Sequence, residues 1–556
     1  MYRRLVSFVS LLPALAVVRA QSSGPTVDLG YAIYQGAKNS STSISSFLGI
    51  PYAAPPTGDL RFQAPQAPAV ISDVQQATAQ PNECYQAPFG NATTSSFPLG
   101  HTDLSSGGAL MRKRDVGQSE DCLYLNVYTP ADLSSSTNAS LPVLVWIHGG
   151  GYVAGGASGF DGVDIVQESA NGLVVVIIQY RLGVFGFLSG NEVVNGGGAL
   201  NAGLLDQTYA LEWVQSQISK FGGDPSQVTI WGESAGAGSV LQHIIANGGN
   251  TQPSLFRAAM TSSTFLPSQY AYNDTVPEAL FAFFANGTGC STSTTPLACI
   301  RNASVDTLES LNNQANLNGF YGTFVTVPVI DYEMIVERPI VTLQRGSVNG
   351  EVLLAMTNTH EGNVFVNYAE TLNTTSYVEN LFPLLPESSV QQVVSAYANY
   401  TVGPGGGPAV GDVLGQAIGI MGESIFYCPS YYLLDAFSKS NKSAWKGTFA
   451  IPDGFHSSDI PYYFVSVGPA VDNTMFIASF SGAFTGVALA ETPDHHPTNV
   501  SITPEWTTWP TGEMEVVFNT TEAGDANIYA STTDTVYPGI IERCNIWHSL
   551  GQYTGQ

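Results

Sequence analysis

The sequence predicts an α/β fold in which a central, mostly parallel sheet is flanked by helices. Three observations point there. Residues 143–147, 173–178, 228–231, 258–260 and 352–356 are apolar runs without polar alternation, the pattern of strands covered on both faces. Residues 204–218 read as a helix lying between two of those runs. The segment 228–246, VTIWGESAGAGSVLQHIIA, reads as a strand, a sharp turn and a helix, with Ser234 at the apex.

The elements before the sheet come first. Arg3 and Arg4 precede an apolar stretch over 5–18, and Val18-Arg19-Ala20 is a small-x-small cleavage site ahead of Gln21. Residues 1–20 are therefore expected to be a secretory signal peptide, leaving 21–556 as the mature chain. A membrane anchor fits worse, because the stretch is short, contains Pro13 and is followed at once by polar sequence. Sequons at Asn39, Asn91, Asn138, Asn273, Asn286, Asn302, Asn373, Asn399, Asn441, Asn499 and Asn519 agree with an extracellular glycoprotein. Residues 31–34 and 46–50 read as short edge strands, followed by Pro51, Pro55, Pro56, Pro65 and Pro68. No internal repeat or linker divides the rest, so 302–440 reads as a helical elaboration of one domain, with 402–408, VGPGGGP, as a flexible loop. Residues 475–490 are apolar but broken by Ser479, Ser481, Gly482, Thr485 and Gly486, and do not read as a membrane span.

Composition narrows the function classes. With 44% hydrophobic and 11% charged residues the chain is globular, neither disordered nor a coiled coil. A formal charge of -26 opposes binding to nucleic acid or anionic lipid. Six cysteines in an oxidising compartment can all pair, in any of fifteen ways. Spacing narrows these: Cys290 and Cys299 close a short polar loop, Cys84 and Cys122 bracket a Gly/Ser-rich one, and Cys428 with Cys544 would tie the C-terminal segment to the body.

The chemistry is assembled around Ser234. Gly232 and Gly236 complete a G-x-S-x-G pattern, in which small neighbours let the backbone turn sharply and lift the hydroxyl out of the sheet edge. A serine nucleophile needs a base, and the base an orienting acid; after an elbow of this kind they follow in the order Ser, Asp or Glu, His. His360, His456, His495, His496 and His548 lie after Ser234. His495 and His496 sit in a polar PDHHP loop, His548 lies near the tail, and His360 leaves little chain for an acid. His456, in IPDGFHSSDIPYYF, has the small neighbours of a loop that presents an imidazole. For the acid, Glu361 follows the run VLLAM and a turn, with Asp331 and Asp459 as rivals. The oxyanion formed on attack needs donors, and His148-Gly149-Gly150-Gly151 follows a buried strand in the form of an HGGG motif, whose amides could converge with that of Ala235.

Longer matches go further. GIPYAAPPTGDLRF from Gly49, EDCLYLNVYTP from Glu120, WIHGGGY from Trp146, YRLGVFGFL from Tyr180, NAGLLDQTYALEWV from Asn201, FGGDPSQVTIWGESAG from Phe221, HEGNVF from His360 and GFHSSDI from Gly454 resemble the type-B carboxylesterase/lipase family of the α/β-hydrolase superfamily, over nearly all of the mature chain. The resemblance implies the α/β-hydrolase fold with cap and lid insertions, Ser234 as nucleophile, Glu361 as acid, His456 as base, and Gly150, Gly151 and Ala235 as oxyanion hole. It implies the disulfides Cys84 with Cys122, Cys290 with Cys299, and Cys428 with Cys544, the last present in only part of the family. Arg61 with Glu120 and Arg181 with Asp206 correspond to its structural ion pairs. No cofactor or metal is called for.

Within the family the expected substrate is a small-molecule or lipid ester, and the expected protein a secreted one without a stable membrane anchor. Choline esters are disfavoured, because the loop 84–122 lacks the tryptophan that would face a quaternary ammonium. The sequence context resembles the fungal lipase and sterol esterase branch, where that loop is a lid. Here it is glycine-rich with few bulky apolar residues, predicting a poorly helical lid and weak interfacial activation. Arg112, Lys113 and Arg114 read as a solvated charge cluster in preference to a processing site. An acyltransferase or amide hydrolase could use the same triad, whereas a non-catalytic adhesion protein of this fold would be expected to lack the serine.

Overall fold

The computed structural model describes residues 24–95, 116–130, 132–133, 140–369, 373–400 and 412–556. Strands β1 (Thr26–Asp28), β2 (Ile33–Gln35) and β5 (Val74–Gln76) form a small sheet ahead of the main one. The main sheet is built from β3 (Ala37–Lys38), β4 (Ser45–Pro51), β6 (Tyr124–Thr129), β7 (Leu141–Ile147), β8 (Val174–Ile178), β9 (Gly223–Glu233), β10 (Ala258–Ser262), β11 (Val352–Asn358), β12 (Ser443–Phe449), β13 (Met514–Thr520) and β14 (Ala526–Thr532). Their order is β14-β13-β12-β11-β10-β9-β7-β8-β6-β4-β3. From β8 through β7 to β13 every pairing is parallel, while β6, β4 and β3 on one flank and β14 on the other run antiparallel. This is the α/β-hydrolase fold with its mostly parallel centre.

The centre is apolar on both faces, as the unbroken runs predicted. Val145 pairs with Val176 on one side and Ile230 on the other, and all three are fully buried. Trp146 and Trp231 meet edge to face at 5.0 Å across the neighbouring strands. Helix Ala202–Gln217 and helix Ala235–Gly249 cover one layer of core, while helix Thr474–Ala490 covers the other, stacking Phe484 on Trp231 at 4.4 Å. The apolar segment rejected as a membrane span is thus a core helix. No helix among the described residues is long and apolar enough to cross a membrane.

Strands β12 and β13 carry no uninterrupted apolar run and were not legible as core strands. Each holds one charge, and the register pairs them: Lys446 stands opposite Glu515, with Nζ 3.2 Å from Oε2 and both side chains fully buried. All three expected disulfides are formed, Cys84–Cys122, Cys290–Cys299 and Cys428–Cys544. The Arg61–Glu120 and Arg181–Asp206 ion pairs are present at 2.6 and 2.7 Å. The signal segment 1–20, Asn138, Arg112, Lys113, Arg114, most of the loop 84–122 and the loop 402–408 lie outside the described residues.

Candidate active site

Ser234 occupies the turn between β9 and helix Ala235–Gly249, with φ 56° and ψ −124°, a left-handed conformation that a non-glycine residue holds only under constraint. The constraint is close backbone packing. A Cβ on Gly236 would lie 2.0 Å from the Ile147 carbonyl oxygen, and one on Gly232 2.3 Å from the Gly236 carbonyl carbon, so both glycines of the motif are required for contact. The Ser234 amide donates to the Ser262 carbonyl at 2.9 Å, tying the turn to β10.

The glycine loop after β7 lies against this turn. A Cβ on Gly149 would come within 2.9 Å of the Ser234 Cβ, and Gly150 and Gly151 adopt φ of +102° and +64°. Tyr180 holds the loop from below, stacking on His148 at 4.5 Å and donating its hydroxyl to the His148 carbonyl at 2.9 Å. Ala235 is the first residue of its helix, so its amide belongs to the N-terminal donors that lack an intrahelical acceptor. The helix dipole adds partial positive charge at the same place.

Glu361 lies just beyond the end of β11, and His456 lies in the loop after β12. His456 Nδ1 is 2.6 Å from Glu361 Oε2, while Nε2 makes no hydrogen bond and stands 3.3 Å from Oε1 of Glu233, the residue preceding Ser234. Burial opposes the imidazolium, but Glu233 and Glu361, with Asp459 behind them, outweigh it and raise the His456 pKa above the ordinary value. Burial also pushes the Glu233 carboxyl up to about 7 and that of Asp459 up to about 6. The Glu233 and Asp459 carboxyls and the His456 imidazole therefore titrate as a coupled group.

The rival residues have other hydrogen-bond or ring partners, and of them Asp459 lies beside the site. His360 Nδ1 meets the Asp453 carbonyl at 2.7 Å, His496 Nε2 meets Thr503 Oγ1 at 3.1 Å, and His548 packs on Tyr432. Asp331 accepts from Asn201 Nδ2 at 2.7 Å, and Asp459 accepts from Asn358 Nδ2 at 3.0 Å.

The comparisons with known proteins bear on what such a site does. The family model described as the carboxylesterase family matches residues 23–527. The chain belongs to the carboxylesterase family. This carboxylesterase is 31% identical over 531 residues to Lipase 1 of Geotrichum candidum, covering 88% of this chain and 90% of that one. It is 32% identical over 404 residues to Secreted lipase 1 of Botryotinia fuckeliana (strain B05.10), covering 69% and 68%. Among solved structures it superposes on Aspergillus niger EstA with a TM-score of 0.80 at 27% identity, covering 96% of this chain and 99% of that one. The carboxylesterase is a carboxylic ester hydrolase.

Two side chains beside the acid escaped sequence reasoning. Ser263 donates to Glu361 Oε1 at 2.7 Å and accepts from Asn358 Nδ2 at 3.1 Å, while the Asn358 amide donates to the same Glu361 oxygen at 2.6 Å. Glu361 is thus left with one oxygen for His456. Glu233 was passed over as the variable position of the G-x-S-x-G pattern; a buried carboxylate at a strand end was the only signal available. Next to the site an apolar cleft is walled by Phe265, Phe320, Phe324, Phe365, Met421 and Phe426, with no charged residue in its lining among the described residues. Phe365 and Phe426 also pack on His456 at 5.0 and 4.6 Å. A Cβ on Gly151 would strike the Phe324 ring at 2.0 Å, so the cleft adjoins the glycine loop too.

Proposed function

We propose that the chain is a secreted serine carboxylesterase that works through an acyl-enzyme on Ser234, with lipase or sterol esterase-like to broad carboxylesterase specificity. Ser234 Oγ attacks the ester carbonyl carbon as His456 Nε2 takes its proton. The tetrahedral oxyanion is met by the amides of Gly150, Gly151 and Ala235, each such donor contributing roughly 2.7 to 4 kcal/mol. His456 returns the proton to the departing alcohol, and water then repeats the cycle on the acyl-serine and releases the acid. The observation that carries this reading is His456, bonded through Nδ1 to Glu361 and open at Nε2 beside the residue that precedes Ser234. The apolar, uncharged cleft along Phe324, Phe365 and Phe426 favours an uncharged acyl group with several carbons. Secretion is supported by the signal-like 1–20 segment, and by the name of the Botryotinia relative.

A panel of p-nitrophenyl esters of rising acyl length, beside a triglyceride and a steryl ester, tests it. Rates are expected to rise from acetyl to medium acyl groups and to appear on soluble esters before any emulsion forms. Ser234→Ala should lose about 10⁴-fold or more of kcat. Full activity in Ser234→Ala overturns the nucleophile, and a rate that jumps only above substrate solubility overturns the weak interfacial activation.

A further inference from the structure

Between helix Val413–Gly422 and helix Cys428–Lys439 the backbone widens into a π-turn over Glu423–Tyr427. Such turns lose regular i→i+4 bonding, and they persist where a displaced side chain is needed. Here the displaced carbonyls find outside donors. Ser424 O accepts from Gln556 Nε2 at 2.8 Å and Ile425 O from the Leu266 amide at 2.9 Å.

The turn reaches the catalytic pair from behind with two consecutive side chains. Phe426 packs on the His456 ring at 4.6 Å. The Tyr427 hydroxyl lies 2.8 Å from the Asn358 carbonyl and 2.6 Å from that of Thr359, and the Glu361 amide points at it from 3.5 Å. One phenol therefore grips the backbone on both sides of His360, in the turn that carries Glu361. Burial raises its pKa well above the usual phenol value, so it remains a donor. Helix Val413–Gly422 packs against the same turn backbone to backbone, a Cβ on Gly362 lying 2.1 Å from the Ile418 carbonyl oxygen.

The platform is fixed from one segment. Glu423 accepts from Arg543 Nε and Nη2 at 2.7 Å each and from the Tyr397 hydroxyl at 2.6 Å. The neighbouring Cys544 is bonded to Cys428 at the other end of the π-turn. Residues 543, 544 and 556 thus hold it at its start, its end and an intermediate carbonyl.

Resting on the acyl-serine reading above, we propose that this clamped π-turn is the positioning element of the acid–base pair, with Tyr427 setting the turn of Glu361 and Phe426 the plane of His456. Tyr427 lies outside the lining of the acyl cleft and acts through Glu361, while Phe426, which also walls that cleft, bears on the proton transfer through the His456 ring. A displacement of about 1 Å at such a pair costs on the order of 10²-fold in rate, because the transferred proton must travel along one line. Glu361, Glu233 and Asp459 are the charged groups facing His456, and of these Glu361 is the one whose own backbone amide meets the Tyr427 hydroxyl.

The test compares Tyr427→Phe with Tyr431→Phe, a buried tyrosine one helical turn on whose ring stacks on Trp509. Steady-state hydrolysis of p-nitrophenyl butyrate is followed from acid to neutral pH. Tyr427→Phe is expected to lower kcat by about 10- to 100-fold at unchanged KM, and to move the acidic limb of kcat/KM to lower pH as Glu361 loosens from His456. Tyr431→Phe should leave both readouts at wild type. Gln556→Ala frees Ser424 O without altering the core tyrosine, and should shift both in the same direction by less, so the proposal remains testable should Tyr427→Phe not fold. Wild-type kcat in Tyr427→Phe, or a fall in kcat with an unmoved limb, overturns the positioning role; so does a Gln556→Ala enzyme identical to wild type. Ser234→Ala in the same assay separates the two claims. Turnover surviving there overturns the acyl-serine reading, whereas its loss beside an unaffected Tyr427→Phe overturns only the π-turn.

Discussion

At the scale of single residues the site is a problem of charge placed where water cannot reach. His456 must be neutral to accept a proton from Ser234, so kcat/KM should climb with pH through its raised pKa. Glu233 contributes to that elevation from 3.3 Å and accepts a hydrogen bond from Ser457. Glu233→Gln keeps an acceptor for Ser457 but removes the charge, and is expected to move the acidic limb to lower pH. A limb that stays in place would contradict the assigned influence of Glu233 on His456. Ser234, Glu361 and His456 were legible because chain order, loop context and family-length motifs act together on them. Glu233, Ser263 and Tyr427 were not, because a glutamate, a serine and a tyrosine carry no pattern until the fold puts them within 4 Å of the acid or base.

At the scale of elements, continuous apolar runs marked strands at the centre of the sheet and passed over two in which a buried charge breaks the run. Strands β12 and β13 show why. Lys446 is held by Thr357 Oγ1 at 2.8 Å, Thr448 Oγ1 at 2.9 Å and Glu515, and burial lowers its pKa against the pull of Glu515. In sequence each strand is interrupted; in register the interruptions cancel. Removing one partner leaves an uncompensated buried charge, so Lys446→Met is expected to cost about 3 to 5 kcal/mol, read from the urea midpoint at constant slope. Lys446→Met with Glu515→Leu should recover most of that loss, since two apolar side chains avoid the desolvation of both ions. A double variant no more stable than the single one would contradict this. Helix Thr474–Ala490 gives the reverse lesson. Gly482 and Gly486, which helped disqualify it as a span, let the 492–496 loop lie against it, a Cβ on Gly486 falling 2.1 Å from the His495 carbonyl oxygen, while Phe476, Phe480 and Phe484 form one buried face.

At the scale of the whole molecule, three distant parts of the chain meet at one sheet edge. Ser234 comes from the end of β9, Glu361 from beyond β11 and His456 from beyond β12, so the parallel register places all three at the same end of the strands, where α/β sheets hold their ligands. The C-terminal helix Ile540–Thr554 closes this arrangement from behind through Cys428–Cys544, which spans 116 residues. Replacing both cysteines by serine should lower stability by about 2 to 5 kcal/mol, measured by denaturant titration, because the unfolded chain regains the freedom of a long loop. No loss would show that the helix is held by its packing alone. The central claim, that an ester bond is broken by transferring its acyl group to Ser234, is tested most directly by quenching the enzyme in acid during turnover of p-nitrophenyl butyrate and mapping its peptides by mass. The account predicts a butyryl group on the peptide containing Ser234 and none in Ser234→Ala; butyryl on another residue, or hydrolysis continuing in Ser234→Ala, would contradict it.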